Sequence, residues 1–279
     1  MKQRFVAFGG LRLHFTDFNE AGGDPIVMLH GLNVQARTWD PVAERLAEHR
    51  RVICLDLRGH GLSDWTRDGY SVTDFAADVA GLVDALGLSR VDVVGHSLGC
   101  RIGIVFAGAH PERVGRLVLS DTGPEFPPAA AEFSANIVSR AGGAVRGFDD
   151  ESAALAYYQE MHPEWQPVFH ALHVEHQLRR NWAGKLVFRA DPDLFWLLGA
   201  AGRRDDAVVW EALDRLSMPT LILWGRRSPF LDDDLARRML ERMADGTVVR
   251  TDSGHYIPRE APAEFLALVS QFLDARRHA

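Results

Sequence analysis

The chain has 279 residues, 47% of them hydrophobic and 25% charged, which suits one large folded domain and excludes an intrinsically disordered chain. Its formal net charge is −7, so the sequence lacks the excess of basic side chains on which nucleic-acid binding depends. No apolar run approaches the ~18 residues needed to cross a membrane, and we therefore expect a soluble protein without a membrane partner.

Strand and helix patterns alternate through the first third of the chain. Residues 12–18 alternate polar and apolar side chains, which predicts a half-buried antiparallel strand. Residues 26–29 and 51–57 are largely apolar runs, typical of strands covered on both faces, and a predicted helix over 39–48 lies between them. This order indicates the parallel sheet of an α/β protein.

The same alternation continues as far as residue 119. Apolar residues between 75 and 86 recur at the spacing of one helical face. Ser71 and Asp74 before them resemble a capping box, and Gly87 supplies a helix stop. The elements predicted next are a strand over 91–94, a helix over 98–109 and a strand over 116–119.

The alternation breaks after Gly123. Residues 124–210 begin with several prolines and are rich in helix formers, His and Trp, so we interpret them as a helical cap, or lid, inserted at one end of the sheet. Residues 1–123 and 211–279 then form one core domain of the α/β class. The later elements predicted for this core are a strand over 219–224, a helix over 234–243, a strand over 247–250 and a helix over 263–273.

A serine motif lies at a strand-to-helix junction. Gly95-His-Ser97-Leu-Gly99 matches the pattern G-x-S-x-G, directly after a predicted buried strand and directly before a predicted helix. Both flanking glycines are needed because the turn brings backbone segments close together. The helix that begins at Leu98 points its N-terminal amides toward the place where negative charge would develop. The pattern predicts that Ser97 is a nucleophile.

A His-Gly turn follows the strand over 26–29. With this turn and the serine motif, the chain resembles the α/β-hydrolase superfamily, which has a mostly parallel eight-stranded sheet flanked by helices. The resemblance implies an oxyanion hole formed by the backbone amides of Leu32 and Leu98. Asn33, at the end of the turn, either lines the substrate pocket or caps the turn.

A histidine stands in the loop after the last predicted strand. Ser253-Gly254-His255-Tyr256 precedes the closing helix. A general base has to reach the serine hydroxyl from a loop at the carboxyl edge of the sheet, and this loop lies there. The chain order serine, acid, histidine also agrees with the superfamily. We therefore predict that His255 is the general base.

The acid of the triad departs from the commonest pattern of the superfamily. Most members carry it in a G-x-x-D turn after the strand over 219–224, but this chain has Ser228 there. Asp121 ends the strand over 116–119 at the same edge, and some relatives, such as ring-cleavage product hydrolases, use that position. Asp232 is a second candidate, although its run of three aspartates is also typical of a helix start. We favour Asp121.

The loop over 58–64 also matches the superfamily, which supports the fold without giving His60 a catalytic role.

Ser97, Asp121 and Ser228 together resemble hydrolases of the (acetamidomethylene)succinate type and related C–C bond and ester hydrolases. This implies cleavage of an ester, lactone, amide or vinylogous C–C bond through an acyl-enzyme, without a cofactor. A cofactor-free dioxygenase and a non-catalytic ligand-binding receptor are the alternatives. Haloalkane dehalogenases and epoxide hydrolases are excluded, because they need Asp at position 97.

The predicted cap supplies candidate substrate-binding side chains. Trp165 and Trp182 would form aromatic walls for a mid-sized apolar or aromatic substrate. Three histidines at spacing i, i+3, i+6 fan around a helix rather than converge, so we predict no metal site. No strand is followed by a phosphate-binding glycine motif, so we predict no nucleotide. Arginines that could bind a substrate carboxylate are Arg140, Arg179, Arg180 and Arg189.

The two cysteines, Cys54 and Cys100, are expected to be buried and unpaired, which fits a reducing cytoplasm. Residues 1–15 lack the apolar region of a signal peptide, so we predict a cytoplasmic protein. Its predicted partner is a small-molecule substrate. A homodimer is left open.

Overall fold

The structure is a computed structural model and describes residues 1–67, 69–135, 147–198 and 203–275. Eight of its strands form one sheet, and two form a separate hairpin. In chain order the strands are β1 (Lys2–Phe8), β2 (Leu11–Phe18), β3 (Gly23–Leu29), β4 (Arg50–Leu55), β5 (Val91–His96), β6 (Val114–Ser120), β7 (Leu178–Arg180), β8 (Leu186–Phe188), β9 (Thr220–Gly225) and β10 (Gly246–Thr251).

The large sheet has the order β1-β2-β4-β3-β5-β6-β9-β10. The pairs β1–β2 and β2–β4 are antiparallel, and the remaining neighbours run parallel. Helices flank this sheet, so the predicted α/β fold with a mostly parallel eight-stranded sheet is confirmed. The α-helices are α1 (Asp40–Leu46), α2 (Val72–Ala85), α3 (Leu98–Ala109), α4 (Glu151–Met161), α5 (Pro167–Gln177), α6 (Asp206–Leu213), α7 (Asp233–Arg242), α8 (Ile257–Glu260) and α9 (Pro262–Asp274), and residues 128–135 are also helical.

The core lies on both faces of the sheet, as the apolar runs predict. Along β3, Val27 and Leu29 belong to one buried cluster, whereas Ile26 and Met28 belong to another. Since successive side chains of a strand point to opposite faces, this alternation places a hydrophobic layer on each side. One layer packs against α2 and α3, and the other against α1 and α9.

Strand β2 differs from its prediction. Its alternating pattern predicts one wet face, but all its residues from Leu13 onward are buried. Two of the polar members have polar partners inside the protein: His14 Nδ1 lies 2.7 Å from Asp56 Oδ2, and the guanidinium of Arg51 donates to Asp17. Buried polar groups that find partners in this way look, in sequence, like groups that face water.

The helix predicted over 75–86 begins as expected. Ser71 accepts a hydrogen bond from the amide of Asp74, whose carboxylate accepts one from the amide of Ser71. This reciprocal pair is a capping box that satisfies two amides at the helix start. After the helix, Gly87 has φ +65°, a left-handed conformation that glycine adopts without strain.

The segment between β6 and β9 is helical in part, and it also contains the β7–β8 hairpin, which the sequence analysis missed. Strands of three residues are too short to show a hydrophobic period. The predicted boundary at residue 210 falls inside α6, whose Val209, Ala212 and Leu213 are buried beside α3. We keep the division into core and cap as a proposal, with the cap ending before α6.

Four strand ends lie side by side at the carboxyl edge of the sheet. Leu29, Gly95, Leu119 and Ile222 are partners in one row across β3, β5, β6 and β9. The residues just after these positions therefore emerge together. Among the described residues, no helix combines the length and apolar character required to span a bilayer.

Candidate active site

Ser97 occupies the tight turn between β5 and α3. Its backbone has φ 55° and ψ −118°, an unfavourable conformation for a residue with a side chain. The neighbouring backbone explains both glycines of the motif. A Cβ at Gly95 would lie 2.4 Å from the carbonyl oxygen of Gly99, and a Cβ at Gly99 would lie 2.2 Å from that of Leu29. The turn therefore holds Ser97 above the strand ends.

Ser97, His255 and Asp121 form a continuous chain of contacts. Nε2 of His255 lies 3.1 Å from Oγ of Ser97, and its Nδ1 lies 2.8 Å from Oδ2 of Asp121. These residues are 158 and 134 positions apart from His255 in sequence, so the fold alone brings them together. When Nδ1–H donates a hydrogen bond to the carboxylate, Nε2 carries no proton and is an acceptor that faces the serine hydroxyl.

The carboxylate of Asp121 is fully buried and has further partners. The amide of Gly225 donates to Oδ1 at 2.8 Å, and the hydroxyl of Ser228 donates to Oδ2. Burial raises the pKa of Asp121, while the donors Ser228 and Gly225 oppose that rise by stabilising the ionised form. Ser228 thus holds the acid, a role that the sequence analysis did not foresee.

The second acid candidate has a different place in the structure. Asp232 precedes α7, and its Oδ1 accepts a hydrogen bond of 2.7 Å from the amide of Leu235. This is the helix-start arrangement that the run of aspartates also suggested. The structure brings Asp121, and not Asp232, to the imidazole of His255.

The imidazole of His255 is buried against aromatic side chains. The ring of Phe230 stacks on it at a centroid distance of 4.0 Å, and the carbonyl oxygen of His255 lies 2.9 Å from Nε2 of His96. Burial, together with the guanidinium of Arg259, lowers the pKa of His255 below its usual range. The imidazole is therefore neutral near pH 7, as a proton acceptor has to be.

The two predicted oxyanion residues both line the cavity around Ser97. Leu98 is the first residue of α3, where helical amides have no partner within their own helix. Leu32 follows Gly31, where a Cβ would approach that of Ser97 to 3.0 Å. The amide of Asn33 donates to Nε2 of the buried His60 at 3.1 Å, so His60 supports this turn.

A cavity extends from Ser97 toward the segment between β6 and β9. One side of it is lined by Leu32, Asn33, Leu98 and His255. The other side is largely aromatic, as expected for a site that binds an organic molecule. Its aromatic and cationic members include Phe126, Tyr158, Trp165, Phe230, Tyr256 and Arg259.

A family model described as the alpha/beta hydrolase fold matches residues 24–262. That range is most of the chain and contains all three residues of the contact chain. The chain belongs to the α/β-hydrolase family. Membership explains the order of its strands and the position of the serine turn, and, together with relatives that are named hydrolases, it identifies the chain as an enzyme of the hydrolase class.

Individual relatives narrow the resemblance. The 2-(acetamidomethylene)succinate hydrolase of Mesorhizobium japonicum is 28% identical over 92% of this chain and 90% of its own. The crystal structure of E-2-(acetamidomethylene)succinate hydrolase superposes with a TM-score of 0.86 and 27% identity over 98% of this chain and 99% of its own. The 3-hydroxybutyrate-oligomer hydrolase of Cupriavidus necator is 31% identical over 93% of both chains. The predicted similarity to hydrolases of the (acetamidomethylene)succinate type is confirmed.

The two predicted aromatic walls of this α/β-hydrolase have different fates. Trp165 is 5% exposed and lines the cavity, with its indole stacked on His162 at 3.9 Å. Trp182 is 99% exposed beside the β7–β8 turn and does not line the cavity. The prediction for Trp182 is wrong, because the hairpin that carries it was not recognised and points its tip into solvent.

The three cap histidines have separate surroundings. His170 Nε2 lies 2.9 Å from the carbonyl oxygen of His162, His173 Nδ1 lies 2.7 Å from that of Phe169, and His176 is only half-buried. Within the described part of the chain, no three His, Cys, Asp or Glu side chains group as metal ligands. Both cysteines are free and buried. Arg140 lies outside the described residues.

Proposed function

We propose that this enzyme is a serine hydrolase that cleaves an ester, lactone, amide or vinylogous C–C bond of a small molecule through an acyl-enzyme on Ser97. The observation that carries the proposal is the contact chain of 3.1 Å and 2.8 Å from Ser97 through His255 to Asp121, at the floor of an aromatic cavity. The hydrolase names of the relatives support the same reaction class.

The first step forms the acyl-enzyme. Nε2 of His255 removes the hydroxyl proton of Ser97 as Oγ attacks the substrate carbonyl, and the amides of Leu32 and Leu98 bind the oxyanion. The carboxylate of Asp121 accepts a hydrogen bond from Nδ1–H of the imidazole, which keeps the correct tautomer and stabilises the imidazolium. The imidazolium then returns the proton to the leaving group as the tetrahedral intermediate collapses.

The second step releases the product. A water molecule loses its proton to Nε2 of His255 and attacks the acyl carbonyl, so that the bond between Ser97 Oγ and the acyl carbon breaks. The proton returns to Oγ and restores the serine. The walls that include Asn33, Trp165 and Phe230 bind the acyl part of the substrate.

A fluorophosphonate probe tests this proposal. Intact mass after incubation should increase by a single adduct in wild type and in Ser217→Ala, an exposed serine that serves as the matched control. Ser97→Ala should stay unlabelled and lose about 10⁴-fold or more in kcat on short-chain esters, because it lacks the nucleophile. If wild type stays unlabelled under conditions that label an ordinary esterase, the serine-hydrolase proposal is rejected. A cofactor-free dioxygenase or a ligand-binding receptor would then be the next function to test.

Further predictions concern the substrate, the cofactor, the location and the oligomeric state. The enzyme acts on a small-molecule substrate and needs no cofactor for the steps above. Two buried free cysteines support a location in a reducing cytoplasm. Size-exclusion chromatography with light scattering would test whether the enzyme forms a homodimer.

A further inference from the structure

Arg259 is a buried cation at the cavity wall. It lies in α8, four residues after His255, and is only 2% exposed. It lines the same cavity as Ser97 and His255. The sequence analysis did not select it, because its position in a short helix beside the histidine loop gives no sign of burial.

The guanidinium of Arg259 is held by neutral groups. Its Nε donates a hydrogen bond of 3.0 Å to the hydroxyl of Thr38. Its central carbon, Cζ, lies 4.8 Å from the ring centroid of Trp165 and 5.2 Å from that of Tyr256. Its Nη1 has no hydrogen-bond partner within the described part of the chain. Residues 136–146, which lie outside that part, contain no Asp or Glu.

Three of the other buried arginines contact a carboxylate: Arg50 with Asp92, Arg58 with Asp78 at 2.6 Å, and Arg101 with Asp206 at 2.8 Å. Arg116 resembles Arg259 in having neutral partners, the carbonyl oxygen of Ala275 and the ring of Phe272, but it does not line the cavity around Ser97. Among the described residues, no carboxylate oxygen lies within 4.0 Å of a guanidinium nitrogen of Arg259, the distance that defines a salt bridge.

A neighbouring carboxylate is available but is used elsewhere. Glu260, the next residue, accepts hydrogen bonds from the amides of Gly254 and Tyr256 and lies 3.5 Å from Arg227. Its side chain therefore fixes the loop that carries His255 and forms no ion pair with Arg259, on which its charge acts only from a longer distance. A charge removed from water without a counter-charge destabilises a protein unless something compensates for it. The two aromatic rings compensate in part, since their faces attract cations.

We propose that Arg259 binds a carboxylate of the substrate, so that the enzyme acts on a small carboxylate-bearing ester or amide; this inference rests on the proposed function. A planar guanidinium presents parallel N–H groups that match the two oxygens of a carboxylate. Trp165 and Tyr256 hold the plane of Arg259 in a fixed orientation. The carboxylate supplies the missing counter-charge when the cavity is occupied, and the substrate is oriented with its reactive carbonyl toward Ser97.

Paired substrates isolate this contact. Monoethyl esters of succinic, glutaric and adipic acid carry a terminal carboxylate at three distances from the ester, and the ethyl esters of the corresponding terminal amides are neutral counterparts. Ethanol release gives kcat/KM for each pair in wild type, Arg259→Gln and Arg259→Lys. Arg45→Gln is the control, because Arg45 is an exposed arginine whose side chain is 64% accessible.

Wild type and Arg45→Gln should prefer the carboxylate member of at least one pair by about tenfold to hundredfold, the effect of one or two charge-assisted hydrogen bonds. Arg259→Gln should abolish the preference while it retains activity on the amides, and Arg259→Lys should restore part of it. An equal loss on both members of each pair would assign Arg259 a structural role and overturn the inference. So would the lack of a preference at all three lengths in wild type.

Binding to Ser97→Ala gives a readout that does not depend on turnover. Calorimetry measures the Kd of glutarate and adipate for Ser97→Ala and for the Ser97→Ala/Arg259→Gln double variant. The Kd of at least one diacid should be at least tenfold lower for Ser97→Ala, whereas the diamides should have the same Kd for both variants. Equal binding of both diacids would overturn the inference. The fluorophosphonate result separates the two proposals: a labelled wild type without carboxylate preference rejects only the role of Arg259, whereas an unlabelled wild type rejects the serine hydrolase.

Discussion

The two sides of the cavity are built by different means. Ser97 and Asp121 follow directly after strands whose ends are joined in one hydrogen-bonded row, and both have positive φ angles, 55° and 67°. The opposite side includes aromatic side chains such as Trp165, carried by helices and turns that form their own apolar cluster and meet the core through this packing and through isolated backbone hydrogen bonds, such as that from Gln166 to Arg259. Strand pairing thus positions Ser97 and Asp121, whereas the aromatic walls depend mainly on packing.

This difference has a consequence for substitutions. A change at the strand-end side removes a group whose position the backbone dictates, so its effect should appear in kcat. Under the proposed function, a change at the aromatic side alters a surface that contacts the substrate without reacting with it, so its effect should appear mainly in KM.

The largest effect that tests the comparison is expected at Asp121. Asp121→Asn should lower kcat by about 10⁴-fold, because an amide in place of the carboxylate favours the wrong tautomer of His255. Asp232→Asn is the matched control and should leave kcat and Tm close to wild type, since Asn caps a helix as well as Asp does. Steady-state kinetics on a short-chain ester measures both. A large loss in Asp232→Asn would show that the acid was assigned to the wrong residue.

An intermediate effect is expected at Ser228, which contacts Asp121 and does not line the cavity around Ser97. Ser228→Ala removes a hydrogen bond to a buried carboxylate and should lower kcat by about tenfold. The donor stabilises the ionised form, so its loss should raise the pKa of Asp121. The fraction of active carboxylate at mildly acidic pH then falls, and the acidic limb of kcat against pH should move to higher pH.

The pH profile distinguishes this positioning role from general destabilisation. Ser217→Ala, the exposed control, should leave the limb of the profile unchanged. A loss of activity in Ser228→Ala that is the same at every pH would argue that the hydroxyl matters for packing alone.

The smallest effect concerns the two tryptophans. Trp165→Phe should raise KM by a few-fold, roughly the effect of one weakened cation–π contact with Arg259, and leave kcat nearly unchanged. Trp182→Phe should change neither constant, because its side chain is exposed away from the cavity. A change in kcat as large as that in KM for Trp165→Phe would mean that the aromatic side also positions the reacting groups.

Much of the catalytic side could be predicted from sequence because its signals are local. Gly95 and Gly99 flank Ser97 where no Cβ fits, and the apolar runs on either side identify a strand and its neighbours. The partner of Asp121 was harder to predict. From sequence, Ser228 is only the residue in the turn where the resemblance implies an acid, and nothing in the local sequence indicates that its hydroxyl contacts Asp121.

The aromatic side could not be predicted in the same way. The sequence favoured Trp165 and Trp182 equally, yet one is buried at the cavity and the other lies at an exposed hairpin tip. Residues 12–18 are a similar case, since His14 and Asp17 look solvent-facing but are buried with polar partners. Burial at these positions depends on segments distant in sequence, which no local pattern records.

By itself, the sequence determined the parallel sheet, the serine turn and the histidine loop, because each depends on backbone conformation and on spacing within a few residues. Only the tertiary structure decided which carboxylate meets His255, which tryptophan lines the cavity, and that Arg259 is buried without an acidic partner. These three properties depend on which chain segments exclude water from a given side chain, and that is a property of the packed molecule.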